Sequence, residues 1–435
     1  MLHNISVNHF ASFQDGFQLS FASEENVNHT DHVFDDGNNK ILRLSLIFGK
    51  NGSGKTNFVN SIKLLKSLIT DSKKYTDKQL IRTLAEYLGP EENTLYYTID
   101  FTNNHHTYSY NYGINIRNKE SEEAIYLIDS EKKKLLLSKE KNSIKSIVSE
   151  VGSAEYRTLD YNQLLPYISN RLCDIDKAYK KEKKQQRNEL GEIWILKNGM
   201  FWNHYLSDVK EWFSKINIVD SDSINISKPN LRNAALLLNY FDTDICKIEA
   251  TDITDQINEM MVSTETIQEK KINISTYKDY LKSINCPAIV RNKNGRPMVK
   301  GYTFLHNDGI NYDWFEESEG TLRLMEFTDL VYGNEEDSLF IVDEFDRKIH
   351  PLVVREMIDL FINKKQKRQQ LLFTTHETTL IDPELIRNDE INIVKNDVKK
   401  SSKIVSLSDY EIIYLFTEED YLSERYNSLF ETREA

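Results

Sequence analysis

No stretch of this sequence approaches the roughly 20 consecutive apolar residues that a membrane-crossing helix needs. The opening MLHNISVNHF also lacks the basic-then-apolar layout of a signal peptide, so a cytoplasmic location and no membrane partner are expected. Cysteine is scarce. Cys173, Cys246 and Cys286 lie far apart and form no C-x-x-C pair, which argues against a disulfide framework or a zinc site and fits a reducing compartment. An excess of positive charge is missing as well. Lys and Arg number 55 against 68 Asp and Glu, a net charge of −13, so contact with nucleic acid would have to be made by a local patch. No internal repeat, low-complexity tract or sustained heptad is visible.

What is present is material for two lobes, or for a core with an insertion, in 435 residues of ordinary globular composition. Residues 1–116 read as a first lobe. Ile5 and Val7, then Phe17, Leu19 and Phe21, recur at period two as in paired strands. A polar stretch over 24–40 reads as a loop, and the apolar run Ile41–Phe48 reads as a strand buried on both faces. A Gly-rich turn follows, then a helical stripe of Phe58, Val59, Ile62, Leu65, Leu68 and Ile69. Aromatic and β-branched residues between Asn93 and Ile116 extend the lobe's sheet. Residues 117–230, charged and poor in Gly and Pro, read as a mostly helical insertion. It carries a basic run, Lys177–Arg187, and an aromatic cluster of Trp194, Phe201, Trp202, Tyr205, Trp212 and Phe213. A solvated helix face accounts for the run and core packing for the cluster. Residues 231–300 are expected to be helical. Residues 301–435 return to strand–helix alternation, implying a mainly parallel sheet and an α/β fold class.

Three segments carry chemistry. Gly49-Lys50-Asn51-Gly52-Ser53-Gly54-Lys55-Thr56 satisfies G-x-x-x-x-G-K-[ST] in full, with Asn57 next in line. Its glycines let successive amides turn toward phosphate oxygens. Lys55 would reach the terminal phosphates of ATP, and the Thr56 hydroxyl would take a position on Mg²⁺. Leu339–Glu344 is an apolar strand ending in two carboxylates: Asp343 suits the Mg²⁺, and Glu344 suits the general base that orients a water. Ser318-Glu319-Gly320-Thr321 opens an apolar helical pattern and offers an anion-binding N-terminus. His376, after the strand Leu371–Thr375, gains meaning only from its place in this order.

Taken in order, these segments resemble the ABC-type ATPase fold: a Walker A loop (Gly49–Thr56), a signature loop (Ser318–Thr321), a Walker B strand with catalytic Glu344, a D-loop (Asp346–Pro351) and a switch histidine (His376). The resemblance implies an ATP-sandwich homodimer in which Ser318 and Gly320 of one subunit cap the nucleotide on the Walker A loop of the other, with larger homo-oligomers open. The runs Glu316–Leu324, Val342–Pro351 and Thr374–His376 followed by Leu380–Leu385, with the opening Asn8–Phe13, are similar to bacterial abortive-infection ATPases of the OLD-like/AbiL-like group, which includes the ATPase half of PARIS-type anti-phage systems. That implies a phage-derived trigger and a separately encoded effector, such as a TOPRIM-type nuclease, since the chain stops without a TOPRIM domain of its own. The tail Tyr421–Tyr426 departs from the group's ending: Glu424 replaces a glycine. A RecF/SMC-like DNA-maintenance ATPase is the alternative, disfavoured by the acidic balance. A transporter subunit fits less well, because Ser-Glu-Gly-Thr replaces the transporters' signature.

Overall fold

The chain opens on alternating apolar and polar residues, which place one face of each strand in a core. The computed structural model describes residues 1–24, 28–35, 39–70, 77–88, 94–117, 120–129, 132–140, 143–146, 205–220, 230–263, 273–284, 286–293, 296–364, 366–397, 400–409 and 416–423. Strand β1 (Leu2–Val7) pairs antiparallel with β2 (Phe17–Ser20), Ile5 lying opposite Leu19. Two short strands follow, β3 (Val33–Asp35) and β4 (Lys40–Leu42), and then β5 (Leu44–Gly49), all six residues of which are buried. The apolar run therefore forms two strands rather than one. It breaks at Arg43, a fully buried residue whose guanidinium donates to the Asp31 carbonyl (2.9 Å).

Strands β6 (Thr94–Asn103), β7 (His106–Asn115), β8 (Glu120–Asp129), β9 (Lys132–Glu140) and β10 (Ser143–Ser146) continue the sheet begun by β1 and β2, in the order β10-β9-β8-β7-β6-β1-β2. A second sheet joins β5 to β11 (Ile216–Val219), β16 (Ser338–Val342), β17 (Gln369–Thr375), β18 (Ile391–Asn396) and β19 (Ser402–Ser406), in the order β11-β16-β17-β5-β18-β19. The four strands β16, β17, β5 and β18 run parallel, and β19 is antiparallel at the edge. The helix Lys55–Thr70 buries Phe58, Val59, Ile62, Leu65 and Leu68 in the core that these sheets share. Trp212 stacks on Phe101 at 4.0 Å with Phe213 beside it, so this end of the aromatic cluster is core.

The chain divides into two compact units. Residues 1–218, 335–343 and 365–435 form the first, which holds both sheets above; residues 219–334 and 344–364 form the second. The second unit contains an antiparallel sheet of β12 (Ile245–Asp252), β13 (Ile289–Lys293), β14 (Arg296–His306) and β15 (Asn311–Asp313). Its helices include Leu231–Tyr240, Thr254–Ser263, Ile274–Ser283, Glu319–Glu326 and Pro351–Asn363.

Two expectations are corrected. Within 117–230, residues 120–146 form β8, β9 and β10, not helix. The charges that suggested a helix sit in facing registers such as Asp129 against Lys132, where opposite charges support a sheet. Buried Glu123 accepts from the Tyr110 hydroxyl (2.9 Å). Within 231–300, β12 and β13 replace expected helix. A register shift between Ile245 and Lys247 separates the buried residues of β12, Ile245 and Ile248, by three positions, a spacing that mimics a helix. The basic run Lys177–Arg187, Trp194, Phe201, Trp202 and the substituted Glu424 lie outside the described residues.

Candidate active site

Parallel strands present their C-terminal ends along one edge, where open α/β sheets bind ligands. The registers put three such ends side by side. Val342 of β16 faces Phe373 of β17, and Thr375 of β17 faces Phe48 of β5. The residues that follow these ends are Asp343, His376 and the loop Gly49–Thr56.

The loop is shaped by its glycines. Gly52 and Gly54 have φ of 75° and 112°, which side chains with a Cβ rarely adopt. A Cβ on Gly54 would strike the Ser12 and Ser402 hydroxyls, and one on Gly49 would meet Ser53 Oγ at 2.5 Å and the Val394 carbonyl at 2.6 Å. Three segments distant in sequence brace the turn. Ser402 Oγ donates to the Ser53 carbonyl (2.6 Å), Asn396 Nδ2 to the Gly52 carbonyl (3.2 Å), and Asn57 Nδ2 to Ser12 Oγ (2.8 Å). Buried Ser53 Oγ has no hydrogen-bond partner among the described residues. The helix Lys55–Thr70 begins at the loop, so its first amides and positive end stand there.

Lys55 is buried, and its ammonium donates to the Gly49 carbonyl (2.6 Å) and the Lys50 carbonyl (3.1 Å), with His376 Nδ1 at 3.4 Å. Those three acceptors match the three donors of an ammonium. Asp343 is buried at the end of β16, where its Oδ1 accepts from the Thr374 hydroxyl (2.6 Å). Thr56 is exposed, as are Lys50 and Asn51. The carboxylate of Asp343 and hydroxyl of Thr56 are hard oxygen donors of the type that Mg²⁺ takes. Tyr421 lies against Phe48 (ring centroids 5.9 Å), and Glu418 accepts from the Thr378 hydroxyl, which ties the helix Glu418–Leu422 to the segment after His376.

Glu344 and the Ser318–Thr321 turn belong to the second unit. Ser318 caps the helix Glu319–Glu326, its Oγ accepting from the Thr321 amide (3.0 Å). A Cβ on Gly320 would press on the Lys348 carbonyl at 2.8 Å, and Lys348 pairs with Glu319. Glu344 is half-buried with φ of 50°, a left-handed conformation that costs a non-glycine residue roughly 1 kcal/mol. Its carbonyl is held by Arg323 Nη2 (3.2 Å) and the Arg347 amide (3.0 Å). Arg323 is buried, bonds Glu326 (2.9 Å) and the Asp220 carbonyl (3.1 Å), and lies over the Phe327 ring. Asp346 to His350 form a turn that His350 and Pro351 convert into the helix Pro351–Asn363.

Asn396 and Ser402 escaped the motif reading because each acts on a loop far from it in sequence, and Arg323, inside the Glu316–Leu324 run, was given no role there. Ser12 falls inside the opening Asn8–Phe13 segment, whose resemblance to abortive-infection ATPases was its only signal.

A glycine-shaped phosphate loop between a buried parallel strand and a helix, beside a buried aspartate on the neighbouring strand end, defines a nucleotide-hydrolysing α/β protein. The chain belongs to the family described as "AAA domain, putative AbiEii toxin, Type IV TA system", whose pattern matches residues 44–382, and it is an ATPase. No curated protein matches the sequence. Among solved structures, an SMC head domain from Thermotoga maritima is 12% identical with a TM-score of 0.38, over 93% of this chain and 98% of that one. An SmcHead bound to the C-winged helix domain of ScpA is 11% identical with a TM-score of 0.40, over 93% and 96%. An Smc head domain with an extended coiled coil, in a complex with the C-terminal domain of ScpA derived from Pyrococcus furiosus, is 11% identical with a TM-score of 0.37, over 94% and 97%. The fold class stands on the sheet order above, independently of these likenesses. Among the described residues no helix is long and apolar enough to cross a membrane.

Proposed function

We propose that this ATPase is an ATP-gated dimer that senses a phage-derived trigger and controls a separately encoded effector, such as a TOPRIM-type nuclease, in abortive-infection defence of the PARIS kind. The alignment of the ends of β5, β16 and β17 supports the chemical half of this reading, because it gathers Lys55, Asp343, Thr374 and His376 at one edge. The defence half is supported by the motif resemblance and by the family description.

Binding of ATP requires Lys55 to exchange its bonds to the Gly49 and Lys50 carbonyls for phosphate oxygens, while the loop amides and the helix N-terminus take the remaining negative charge. His376, whose Nδ1 lies 3.4 Å from the Lys55 ammonium, stands beside the terminal phosphate. Thr56 and Asp343 would hold Mg²⁺, which neutralises phosphate charge when bound. Asp343 is kept in place by Thr374. Glu344 orients and deprotonates the attacking water. Ser318 and Gly320 of a second copy cap the nucleotide through the N-terminal end of the helix Glu319–Glu326.

The test is mass determination of Glu344→Gln with and without ATP, co-expressed with the product of the neighbouring gene. The expected result is an ATP-dependent dimer carrying that product, with Lys55→Ala neither binding ATP nor dimerising. Wild-type hydrolysis by Glu344→Gln would overturn the base assignment. A dimer that captures no partner and instead binds duplex DNA tightly in an ATP-dependent manner would replace the defence role with DNA maintenance.

A further inference from the structure

Away from the phosphate loop, the four residues His29-Thr30-Asp31-His32 bring together two imidazoles and a carboxylate. Thr30–His32 form one 3₁₀ turn, preceded by His29 in the left-handed region (φ 59°, ψ 59°), and the two imidazole rings lie 5.1 Å apart. One ligand atom from each of His29, Asp31 and His32 lies within 4.8 Å of the others. A non-glycine residue is strained in this conformation, and such strain collects where a ligand is held.

The hydrogen bonds fix which atoms face inward. His29 Nε2 contacts the Pro383 carbonyl (2.9 Å); a carbonyl only accepts, so Nε2 carries the proton and Nδ1 keeps its lone pair. His32 Nδ1 contacts the Glu390 carboxylate (2.8 Å to Oε1, 3.1 Å to Oε2), which leaves the lone pair on Nε2. Glu390 is fully buried, and its Oε2 also accepts the Arg387 amide (2.9 Å). An imidazole whose far nitrogen donates to a carboxylate or a carbonyl is the arrangement by which proteins orient metal-binding histidines. Both histidines have it. A cation on the near nitrogen of His32 would also offset the cost of burying the Glu390 carboxylate.

We propose that His29 Nδ1, the Asp31 carboxylate and His32 Nε2 bind a divalent transition-metal ion. Two imidazoles and one carboxylate suit Zn²⁺ and disfavour Mg²⁺ and Ca²⁺, which seek oxygen. A tetrahedral ion at ~2.1 Å draws its ligands to about 3.4 Å of one another. Asp31 is exposed and free to make that approach, whereas His32 is buried and His29 half-buried. Arg43, bonded to the Asp31 carbonyl, competes electrostatically with the ion and limits its affinity. The bound ion would fix the turn before β3, whose imidazoles already bond the Pro383 carbonyl and Glu390 on the segment that follows His376, and its fourth position would fall to water.

Equilibrium dialysis of the full chain against Zn²⁺, without nucleotide or Mg²⁺, tests the site. One equivalent per chain is expected. Asp31→Ala and His29→Ala, both on an accessible turn, should weaken it by at least about tenfold, and Glu390→Gln by roughly 10–100-fold. Lys55→Ala should retain the full equivalent, which separates this site from the nucleotide site. Co²⁺ provides a second reading: wild type should show the visible absorption of four-coordinate cobalt and His29→Ala should not. Absence of zinc binding by the wild type, or unchanged binding and cobalt spectrum in both Asp31→Ala and His29→Ala, would overturn the proposal.

Discussion

Ser402 illustrates how a residue without chemistry of its own sets up a site. Its hydroxyl donates to the Ser53 carbonyl, and its amide donates to the Ser12 carbonyl (2.7 Å), so β19 pins the phosphate loop to the turn after β1. A net hydrogen bond contributes roughly 1 kcal/mol, so Ser402→Ala should weaken ATP binding about fivefold with little loss of fold stability. Titration with a fluorescent ATP analogue reads this directly. Unchanged affinity would mean that Gly52 and Gly54 hold the loop shape by themselves. The two described cysteines make a second contrast at this scale. Burial, helped by the Asp313 carboxylate, pushes the Cys286 thiol up to about 12, whereas Cys246 is exposed and its thiol bonds the Leu305 carbonyl (3.2 Å). The thiolate is the nucleophile, so at pH 8 Cys286 in the folded protein should react with iodoacetamide on the order of 10³-fold more slowly than an ordinary thiol, and Cys246 should be modified first. Because the folded thiol holds its proton more tightly than the unfolded one, its stabilising contribution is complete below the ordinary thiol pKa and is lost as pH rises toward 12. Peptide mass mapping before and after urea distinguishes the two thiols; equal native rates would show that Cys286 is not shielded.

Among the elements, those with unbroken patterns were legible. β5 reads from its apolar run and the helix Lys55–Thr70 from its stripe, because one strand buried on two faces and one helix buried on one face leave clear periods. β8 and β12 did not read. A buried glutamate, Glu123, in the first and a bulge in the second break the alternation that marks a strand. In the candidate site, the loop, Asp343 and His376 are visible as motifs. Of the residues that hold them, Ser12 and Thr374 fall inside runs marked by resemblance, while Asn396 and Ser402 are visible only once the strands are paired. The helix Glu319–Glu326 shows the same limit. Its Arg323 holds the Glu344 carbonyl while pairing with Glu326, so the helix that starts at Ser318 and the left-handed backbone of Glu344 are joined through one guanidinium. Arg323→Ala would strand buried Glu326 and endanger folding, whereas Arg323→Lys keeps a charge there and loses the planar fork. We expect Arg323→Lys to lower kcat about tenfold or more with ATP affinity within about threefold, as befits a residue that positions the proposed base, Glu344. An equal fall in affinity would point to a merely structural part.

At the scale of the whole molecule, the charge of −13 bears on how two copies meet. An ATP-gated dimer brings two such charges together, and the bound nucleotides add more of the same sign. In the proposed dimer, local contacts such as the Ser318 cap would have to overcome this long-range repulsion. Salt shortens the reach of that repulsion, from a Debye length of about 30 Å at about 10 mM to about 8 Å at about 150 mM, while contacts within a desolvated cap are screened much less. For Glu344→Gln at saturating ATP and Mg²⁺, the dimer should therefore tighten as NaCl rises from about 20 to about 300 mM. A protein that gathers on DNA through a basic surface behaves in the opposite way, because each neutralised phosphate makes binding weaker as salt rises. Sedimentation at several salt concentrations separates the two. A dimer that loosens with salt would mean that opposite charges face each other across the interface, and a basic patch on an acidic molecule would then become the place to look for a nucleic-acid partner.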